Sequence, residues 1–226
     1  KIDIFFLNEI MSLMNLLGCI MVFFGVVVAI AYGDSRDKNH RWEIVEGNLF
    51  LGVIFGIGAG WNAPELKNHG TDPDTRFRLM RERVEAMKEL WTKEESEYHG
   101  RYVDFEPTWQ WPKPVQKPHP PIVLGGIGPN TFKRIASYGD GWMPVITQTN
   151  LEDLKVKIPE LKKLCTEQNR PEPEISVLGS PLNDSFIAAL EELGVNRVVI
   201  GLESLPEKES LNQLEHRAEQ IAHLRP

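Results

Sequence analysis

The amino-acid sequence predicts an α/β fold, either an open doubly wound sheet or a (β/α)8 barrel. Segments rich in β-branched and aromatic residues alternate along the chain with segments of helical periodicity, an order typical of α/β proteins. Several of the β-rich segments are apolar throughout, as expected of parallel strands that are buried on both faces. The 226 residues also suit a barrel, since α/β barrels of this size form one domain. We therefore expect a single domain over residues 1–226, with a hairpin and a proline-rich loop inserted at about 94–121.

Seven segments outside the hairpin are predicted to be strands, because each is short and β-rich and most end at glycine or at polar residues. They are Lys1–Phe6, Phe23–Tyr32, Leu49–Ile57, Ile122–Leu124, Gly141–Ile146, Glu174–Gly179 and Arg197–Gly201. Seven strands fit an open sheet, and they also fit a barrel in which one βα unit is altered or missing.

Helices are predicted between these strands. They are Leu7–Ile20, Arg76–Trp91, Asn130–Tyr138, Asn150–Asn169, Asn183–Leu193 and Pro206–Leu224. In Arg76–Trp91 the apolar residues recur every three or four positions, which predicts an amphipathic helix with a charged outer face. Gly194 provides a stop signal after the helix that precedes it. Asp34–Asn48 is polar, and it is expected to hold either a short helix or a mobile loop.

The inserted region has two parts. Glu97–Phe105 places His99–Gly100 between two short alternating runs, which predicts a β-hairpin. Glu106–Pro121 holds six prolines and two tryptophans. Because proline lacks the N–H that a strand or helix needs, we expect this segment to be an extended surface loop.

Charge and cysteine content exclude some classes of function. The net charge of −7 argues against binding to nucleic acid or to an anionic membrane surface. Cys19 and Cys165 lie too far apart to form a metal or redox motif, and we expect free thiols in a cytoplasmic protein without a metal site.

One segment admits a different interpretation. Ile10–Tyr32 contains no charged residue, and a run of this length is a candidate for a membrane span. Its two halves differ, however, because Met11–Ile20 is rich in leucine and methionine whereas Phe23–Tyr32 is β-branched and aromatic. A helix followed by a buried strand is the interpretation that we favour.

The most informative segment is Val123–Val145, which predicts a strand end, a glycine-rich turn, a helix and a second strand. Gly125, Gly126 and Gly128 follow the strand, and Pro129 is expected at the start of the helix. Such a turn is either a tight turn that requires glycine, or an anion site in which backbone N–H groups bind a phosphate.

Four segments, taken together and in this order, resemble the luciferase-like monooxygenase superfamily. They are Leu51–Asn62 (LGVIFGIGAGWN), Trp91–Phe105 (WTKEESEYHGRYVDF), Trp111–Pro121 (WPKPVQKPHPP) and Ile122–Pro144. The sequence is most similar to the branch of coenzyme F420-dependent oxidoreductases, and the resemblance extends from about Gly25 to the C-terminus.

The resemblance implies a (β/α)8 barrel that binds coenzyme F420, or alternatively flavin mononucleotide (FMN), at the carboxyl ends of its strands. The residues implied to contact the cofactor lie in three turns: Gly58, Ala59, Gly60, Trp61 and Asn62; Gly125, Gly126, Ile127, Gly128 and Pro129; and Gly139, Asp140, Gly141 and Trp142. Within this set Asn62 either binds the cofactor tail or caps its turn, Asp140 is more typical of a turn residue than of a catalyst, and the two tryptophans either wall the pocket or pack the barrel.

The sequence also departs from the family pattern. A helix and second strand that normally follow a first strand such as Lys1–Phe6 are missing or truncated, so no general acid or base can be named. Of the six histidines, only His40 lies where a loop can close over a barrel mouth.

Three hypotheses follow. The first is an oxidoreductase that transfers a hydride between F420 (or FMN) and a small organic substrate. The second is a flavin-binding protein without turnover, similar to the shortened non-fluorescent flavoprotein of luminous bacteria. The third is a fragment that is unstable or associated with a membrane. An incomplete barrel leaves sheet edges exposed, so a homodimer that covers them is also expected.

Overall fold

The computed structural model describes residues 3–6, 28–32, 52–147 and 149–224. The described residues divide into two compact units. Residues 3–6 and 123–224 belong to the first unit, and residues 28–32 and 52–122 belong to the second. The prediction of one domain over residues 1–226 stays a prediction. The predicted helix Leu7–Ile20, the segment Asp34–Asn48, Cys19 and His40 lie outside the described residues.

The described elements follow the predicted alternation. The strands are β1 (Asp3–Phe6), β2 (Val28–Tyr32), β3 (Gly52–Ile57), β4 (Glu95–His99), β5 (Asp104–Trp109), β6 (Ile122–Gly125), β7 (Gly141–Met143), β8 (Glu174–Leu178) and β9 (Arg197–Ile200). The helices are α1 (Ala63–Asn68), α2 (Arg76–Thr92), α3 (Thr131–Tyr138), α4 (Leu151–Glu167), α5 (Asp184–Glu192) and α6 (Glu207–Gln220), followed by a 3-10 turn at Ala222–Leu224. Within these ranges, no helix has both the length and the apolar character needed to cross a bilayer.

The first unit is a parallel sheet whose strands follow the chain order from β6 to β9. Strand β1 then pairs in parallel with β9, so that Phe5 lies opposite Val199. Pairing of the first strand with the last is the contact that closes a (β/α)8 barrel, whereas a doubly wound sheet reverses its strand order near the middle. The strand order of this unit therefore favours the barrel over the open sheet.

Helices α4 and α5 begin where their cap residues predict. The Asn150 side chain accepts a hydrogen bond from the Asp153 N–H, and the Asp153 carboxylate accepts one from the Asn150 N–H. Asn183 caps α5 by accepting from the Phe186 N–H. Such caps satisfy N–H groups that the first helical turn leaves unpaired. They fix where each helix starts and therefore which face it turns towards the sheet.

The second unit contains the antiparallel pair β2 and β3, in which Ile30 lies opposite Ile54. This pairing departs from the parallel arrangement that the sequence predicts. A parallel crossover needs a connecting helix, and Asp34–Asn48 has no apolar helical pattern. The βα unit that the sequence predicts to be missing or truncated after the first strand falls at residues 7–27, outside the described residues.

The proline-rich loop is attached to the second unit along its length. The Phe55 N–H donates to the Pro121 carbonyl at 2.8 Å, and Lys113 Nζ donates to the Leu90 carbonyl at 2.7 Å. Trp91 packs edge-on against Phe55 and also contacts the His119 ring. The loop carries the exposed Trp111, as expected of a surface segment.

The predicted hairpin is present, but two details of the prediction are wrong. The turn is Gly100–Val103, closed by a hydrogen bond from the Gly100 N–H to the Val103 carbonyl, and not His99–Gly100. Strand β5 continues to Trp109 and passes through Pro107, so the extended loop begins later than predicted. The sequence also missed the short helix α1, which has proline in its first turn.

Helix α2 holds the hairpin turn through one carboxylate. Glu82 Oε2 accepts the N–H groups of Tyr102 at 2.5 Å and Val103 at 3.0 Å. Loss of hydration works to raise the pKa of Glu82, but the backbone N–H bonds outweigh it and hold the pKa below its ordinary value of 4.5. Since the folded-state pKa is lowered, this contribution to stability is present above pH 4.5 and is lost as the pH falls through the folded-state value.

We expect the Tyr102 and Val103 amide resonances to titrate together in an NMR pH series, with a midpoint below 4.5. The physical cause is protonation of Glu82, which removes the charge that both N–H groups face. Glu82→Gln should abolish this titration, and Glu94→Gln serves as the control that retains it. A midpoint at or above 4.5 in the unmodified chain would contradict the assignment.

Candidate functional site

The glycine turn lies at the carboxyl end of β6 in the first unit. Gly126 has φ +100, a conformation that residues with a Cβ rarely adopt. The turn is exposed from Gly125 to Asn130. The N–H groups of Gly126, Ile127, Gly128 and Asn130 donate to no acceptor among the described residues. Backbone N–H groups without an acceptor, at a glycine turn before a helix, bind anions in other α/β proteins.

Helix α3 begins one residue later than the predicted start at Asn130. Thr131 is its first residue, its N–H donates to the Gly128 carbonyl at 2.9 Å, and Pro129 precedes the N-cap Asn130. The buried Thr131 hydroxyl faces the turn, since a Cβ placed on Gly126 or Gly128 would lie 3.7 or 3.8 Å from its Oγ1. Thr131 thus adds a side-chain donor that the sequence analysis did not identify.

Trp142 is hydrogen-bonded to the glycine turn. Its indole Nε1 donates to the Gly126 carbonyl at 2.8 Å, and its ring packs edge-on against Phe132 at 5.0 Å between centroids. Trp142 is 0% exposed. Of the predicted alternatives for this residue, its burial supports packing, and its contact with a cofactor stays a prediction.

A small cavity of about 140 Å³ adjoins the turn. Its lining consists of Ile127, Gly128, Pro129, Phe132, Trp142, Lys157 and Glu160. Sequence reasoning did not select the two charged residues, which lie on helix α4. Both residues lie within two positions of Ile158 in the sequence. Ile158 is 1% exposed and belongs to the face of α4 that turns inwards.

Strand β7 begins at Gly141, and Gly139 and Asp140 directly precede it. A Cβ on Gly141 would lie 2.6 Å from the Glu174 carbonyl oxygen, and one on Gly139 would lie 2.6 Å from Leu124 Cδ1. Asp140 forms an ion pair with Arg170 at 3.0 Å. These contacts assign packing and structural roles to the three residues. Their predicted contact with a cofactor stays a prediction.

The turn Gly58–Asn62 belongs to the second unit and follows β3. Gly60 has φ +80, and its Cβ would lie 3.1 Å from Leu66 Cδ2. Asn62 is the N-cap of α1, but its side chain makes no capping hydrogen bond. Trp61 is 91% exposed, so it does not pack the interior. Ala59 is half-buried.

None of the described histidines belongs to either glycine turn. His69 follows α1, His99 lies in the hairpin, and His119 lies in the proline-rich loop. His216 lies in α6, and His223 lies in the C-terminal 3-10 turn. A hydrogen bond between Nδ1 and Asp104 raises the pKa of His99, but this pair belongs to the hairpin. No group of side chains in the described part of the chain is arranged to hold a metal ion.

Cys165 is a free, buried thiol. Burial raises its pKa, although the nearby Arg170 works in the opposite direction. A thiol of this kind is a poor nucleophile, and it plays no part in the site.

Comparison with known families gives an extended match. The sequence model of the luciferase-like monooxygenase family matches residues 52–223. The match includes both glycine turns and every strand from β3 onwards, and it covers more than half of the chain. The superfamily that the sequence segments resemble is thereby confirmed.

Several curated proteins are similar in sequence. An uncharacterised protein of Mycobacterium tuberculosis is 38% identical over 173 residues, which are 75% of this chain and 60% of that protein. The FMNH2-dependent dimethylsulfone monooxygenase of Pseudomonas putida is 26% identical over 142 residues, 61% of this chain and 39% of that protein. The F420-dependent glucose-6-phosphate dehydrogenase of Kineococcus radiotolerans is 32% identical over 127 residues, 54% of this chain and 36% of that protein. The chain thus spans about 60% of the length of the first of these relatives.

Solved structures confirm the predicted fold class, an α/β fold of the luciferase-like type. Monooxygenase RslO1 from Streptomyces bottropensis has a TM-score of 0.64 at 17% identity, over 76% of this chain and 69% of that chain. The coenzyme F420-dependent tetrahydromethanopterin reductase from Methanopyrus kandleri has a TM-score of 0.53 at 16% identity, over 74% of this chain and 72% of that chain. At these identities the likeness concerns the fold alone.

We expect Gly141→Ala to destabilise the protein by about 1–3 kcal/mol, because the added methyl group collides with a backbone carbonyl that cannot rotate away. Gly58→Ala is the matched control, since nothing lies within 4 Å of its added Cβ. Denaturant unfolding of the two variants measures the difference. Equal stability of the two variants would show that the carbonyl contact at Gly141 is not restrictive.

We expect Trp142→Phe to lower stability by about 2 kcal/mol, because the variant loses the donor to Gly126 and leaves a small void. Hydrogen exchange of the Ile127 and Gly128 amides should accelerate, because the variant lacks the hydrogen bond that holds the Gly126 carbonyl. Phe132→Leu perturbs the same aromatic contact but keeps the indole donor, and it should leave exchange in the turn close to that of the unmodified chain. Unchanged exchange in Trp142→Phe would contradict the role of this hydrogen bond.

Proposed function

The chain belongs to the luciferase-like monooxygenase family, and from this premise we propose that it is an oxidoreductase whose glycine turn, Gly125–Pro129, binds the phosphate of coenzyme F420 or of FMN. In this proposal the bound cofactor exchanges a hydride with a small organic substrate. The observation that carries it is the exposed turn with four N–H groups that have no acceptor in the described part of the chain.

The residues at this turn fit a phosphate. Gly126 and Gly128 leave room for an oxygen to approach the backbone, because no Cβ stands in front of the N–H groups. The Thr131 hydroxyl supplies a further donor beside them. Of the residues that line the adjoining cavity, one is cationic and one is anionic, Lys157 and Glu160.

The cavity beside the turn fits a cofactor tail but not a cofactor ring system. Its volume is about 140 Å³, whereas pockets for ligands of cofactor size measure about 300–1,000 Å³. The proposal therefore places only the phosphate and its neighbouring atoms at this turn. The predicted cofactor contacts of the turn Gly58–Asn62 stay a prediction.

When bound, either cofactor supplies the hydride chemistry, and the protein supplies binding and orientation. In this chain the N–H groups of the turn hold the tail, and Trp142 fixes the carbonyl of Gly126. No histidine lies at either turn among the described residues, and the proposal assigns no catalytic acid or base. The F420-dependent and FMNH2-dependent relatives support both cofactors.

A second candidate function is a cofactor-binding protein without turnover. The antiparallel pairing of β2 and β3 favours it, because this alters the part of the barrel that precedes the first glycine turn. In both cases we propose a cytoplasmic homodimer with a small-molecule ligand. The reducing compartment is inferred from the free thiols, and the dimer from the edges of an incomplete barrel.

We expect the purified chain to bind F420 or FMN with a dissociation constant below about 1 mM, measured by the change in cofactor absorbance or fluorescence on titration. Gly126→Ala should weaken binding, because the strained turn no longer presents its N–H groups together. Gly70→Ala is the matched control, since it also carries a positive φ but lies after α1. Failure of both cofactors to bind the unmodified chain would refute the proposal, and tight binding without substrate-dependent oxidation would favour the second candidate.

A further inference from the structure

We propose that Lys157 is the cationic residue that binds the cofactor phosphate, and that Glu160 limits the affinity of the same site for phosphate. This inference rests on the proposed function, because it assumes that the turn Gly125–Pro129 receives a phosphate. It adds two side chains of helix α4 to a site that otherwise consists of backbone groups and one hydroxyl.

Lys157 differs from the other lysines of α4 in its ion pairing. Lys155 pairs with Glu152 at 2.7 Å, Lys162 with Glu172 at 2.6 Å, and Lys163 with Glu167 at 3.8 Å. Lys157 forms no ion pair or hydrogen bond with any described residue, although Glu160 lies one helical turn further along the same helix. Its ammonium group is thus left for another partner.

Lys157 lies beside the glycine turn. It is half-buried, and it lines the 140 Å³ cavity together with Gly128 and Pro129 of the glycine turn. Phe132 and Trp142 form an apolar surface in the same cavity, along which the methylene groups of a lysine can lie while its ammonium group stays at the opening. A lysine at this position can therefore extend towards the turn without burying its charge.

The packing of α4 fixes the position of Lys157. Leu154, Ile158 and Leu161 are each at most 1% exposed and fix the inward face of the helix. The reciprocal cap between Asn150 and Asp153 fixes its first turn. Because residue 157 directly precedes the buried Ile158, its place beside the cavity follows from the packing of the helix.

These observations assign distinct roles to the two charges. Backbone N–H groups orient the phosphate oxygens, and lysine contributes a point charge, as in other phosphate sites. Glu160 is exposed, so solvent and salt screen its repulsion of an anion more strongly than they screen the half-buried lysine. We therefore expect a net preference for phosphate that Glu160 reduces but does not reverse.

The test compares ligands with and without a phosphate. Titrations with FMN, riboflavin, F420 and inorganic phosphate are performed on the unmodified chain, Lys157→Gln, Lys157→Arg, Glu160→Gln and the control Lys155→Gln. We expect Lys157→Gln to weaken binding of the preferred phosphate-bearing cofactor about tenfold and to leave riboflavin binding unchanged. Lys157→Arg should restore most of the affinity, and Glu160→Gln should strengthen it by about threefold. Lys155→Gln should behave as the unmodified chain.

The outcomes separate this inference from the proposed function. If the unmodified chain binds a phosphate-bearing cofactor and Lys157→Gln binds it equally well, the inference is wrong and the proposed function stands. If the loss in Lys157→Gln extends equally to riboflavin, the lysine acts on the fold or the ring, and the inference is again wrong. If the unmodified chain binds neither cofactor nor inorganic phosphate, the proposed function fails and this inference fails with it.

Discussion

The hydrogen bond from the Trp142 indole to the Gly126 carbonyl is the interaction on which the candidate site depends. It joins two segments that are adjacent in space but are separated by helix α3 in the sequence. With its carbonyl held by a buried ring, the turn directs its N–H groups outward and keeps a positive φ that only glycine accepts without strain. The packing of Gly139 and Gly141 against Leu124 and Glu174 then fixes where β7, and hence Trp142, lies.

Much of this fold was predictable from residue patterns. Apolar runs predicted the strands β6 to β9, and helical periodicity predicted α2 and α4. Burial on a sheet face imposes both patterns. The antiparallel pairing of β2 and β3 was not predictable, since the direction of a strand is set by its connection and not by its own composition. Helix α1 was missed because six residues are too few to show a period.

The candidate site was predictable only in part. The glycine turn is visible in the sequence, because a positive φ and an open backbone both require glycine. Lys157, Glu160 and Thr131 were not identified, since their proximity to the turn arises from packing of separate elements. Trp142 was identified as a residue of interest, but its hydrogen bond to Gly126 is a tertiary contact that no local pattern encodes. The choice between F420 and FMN also lies beyond this site, because both cofactors carry the phosphate that the turn is proposed to bind.

The central claim is that the backbone N–H groups of the glycine turn bind phosphate, and NMR with inorganic phosphate tests it most directly. Backbone amide resonances are recorded while phosphate is added at constant ionic strength, with chloride as the reference anion. The account predicts saturable shifts at Ile127, Gly128 and Asn130 and at the Trp142 indole N–H, with little change at the hairpin. Shifts that spread over exposed lysines without saturation, while the turn remains unchanged, would contradict it.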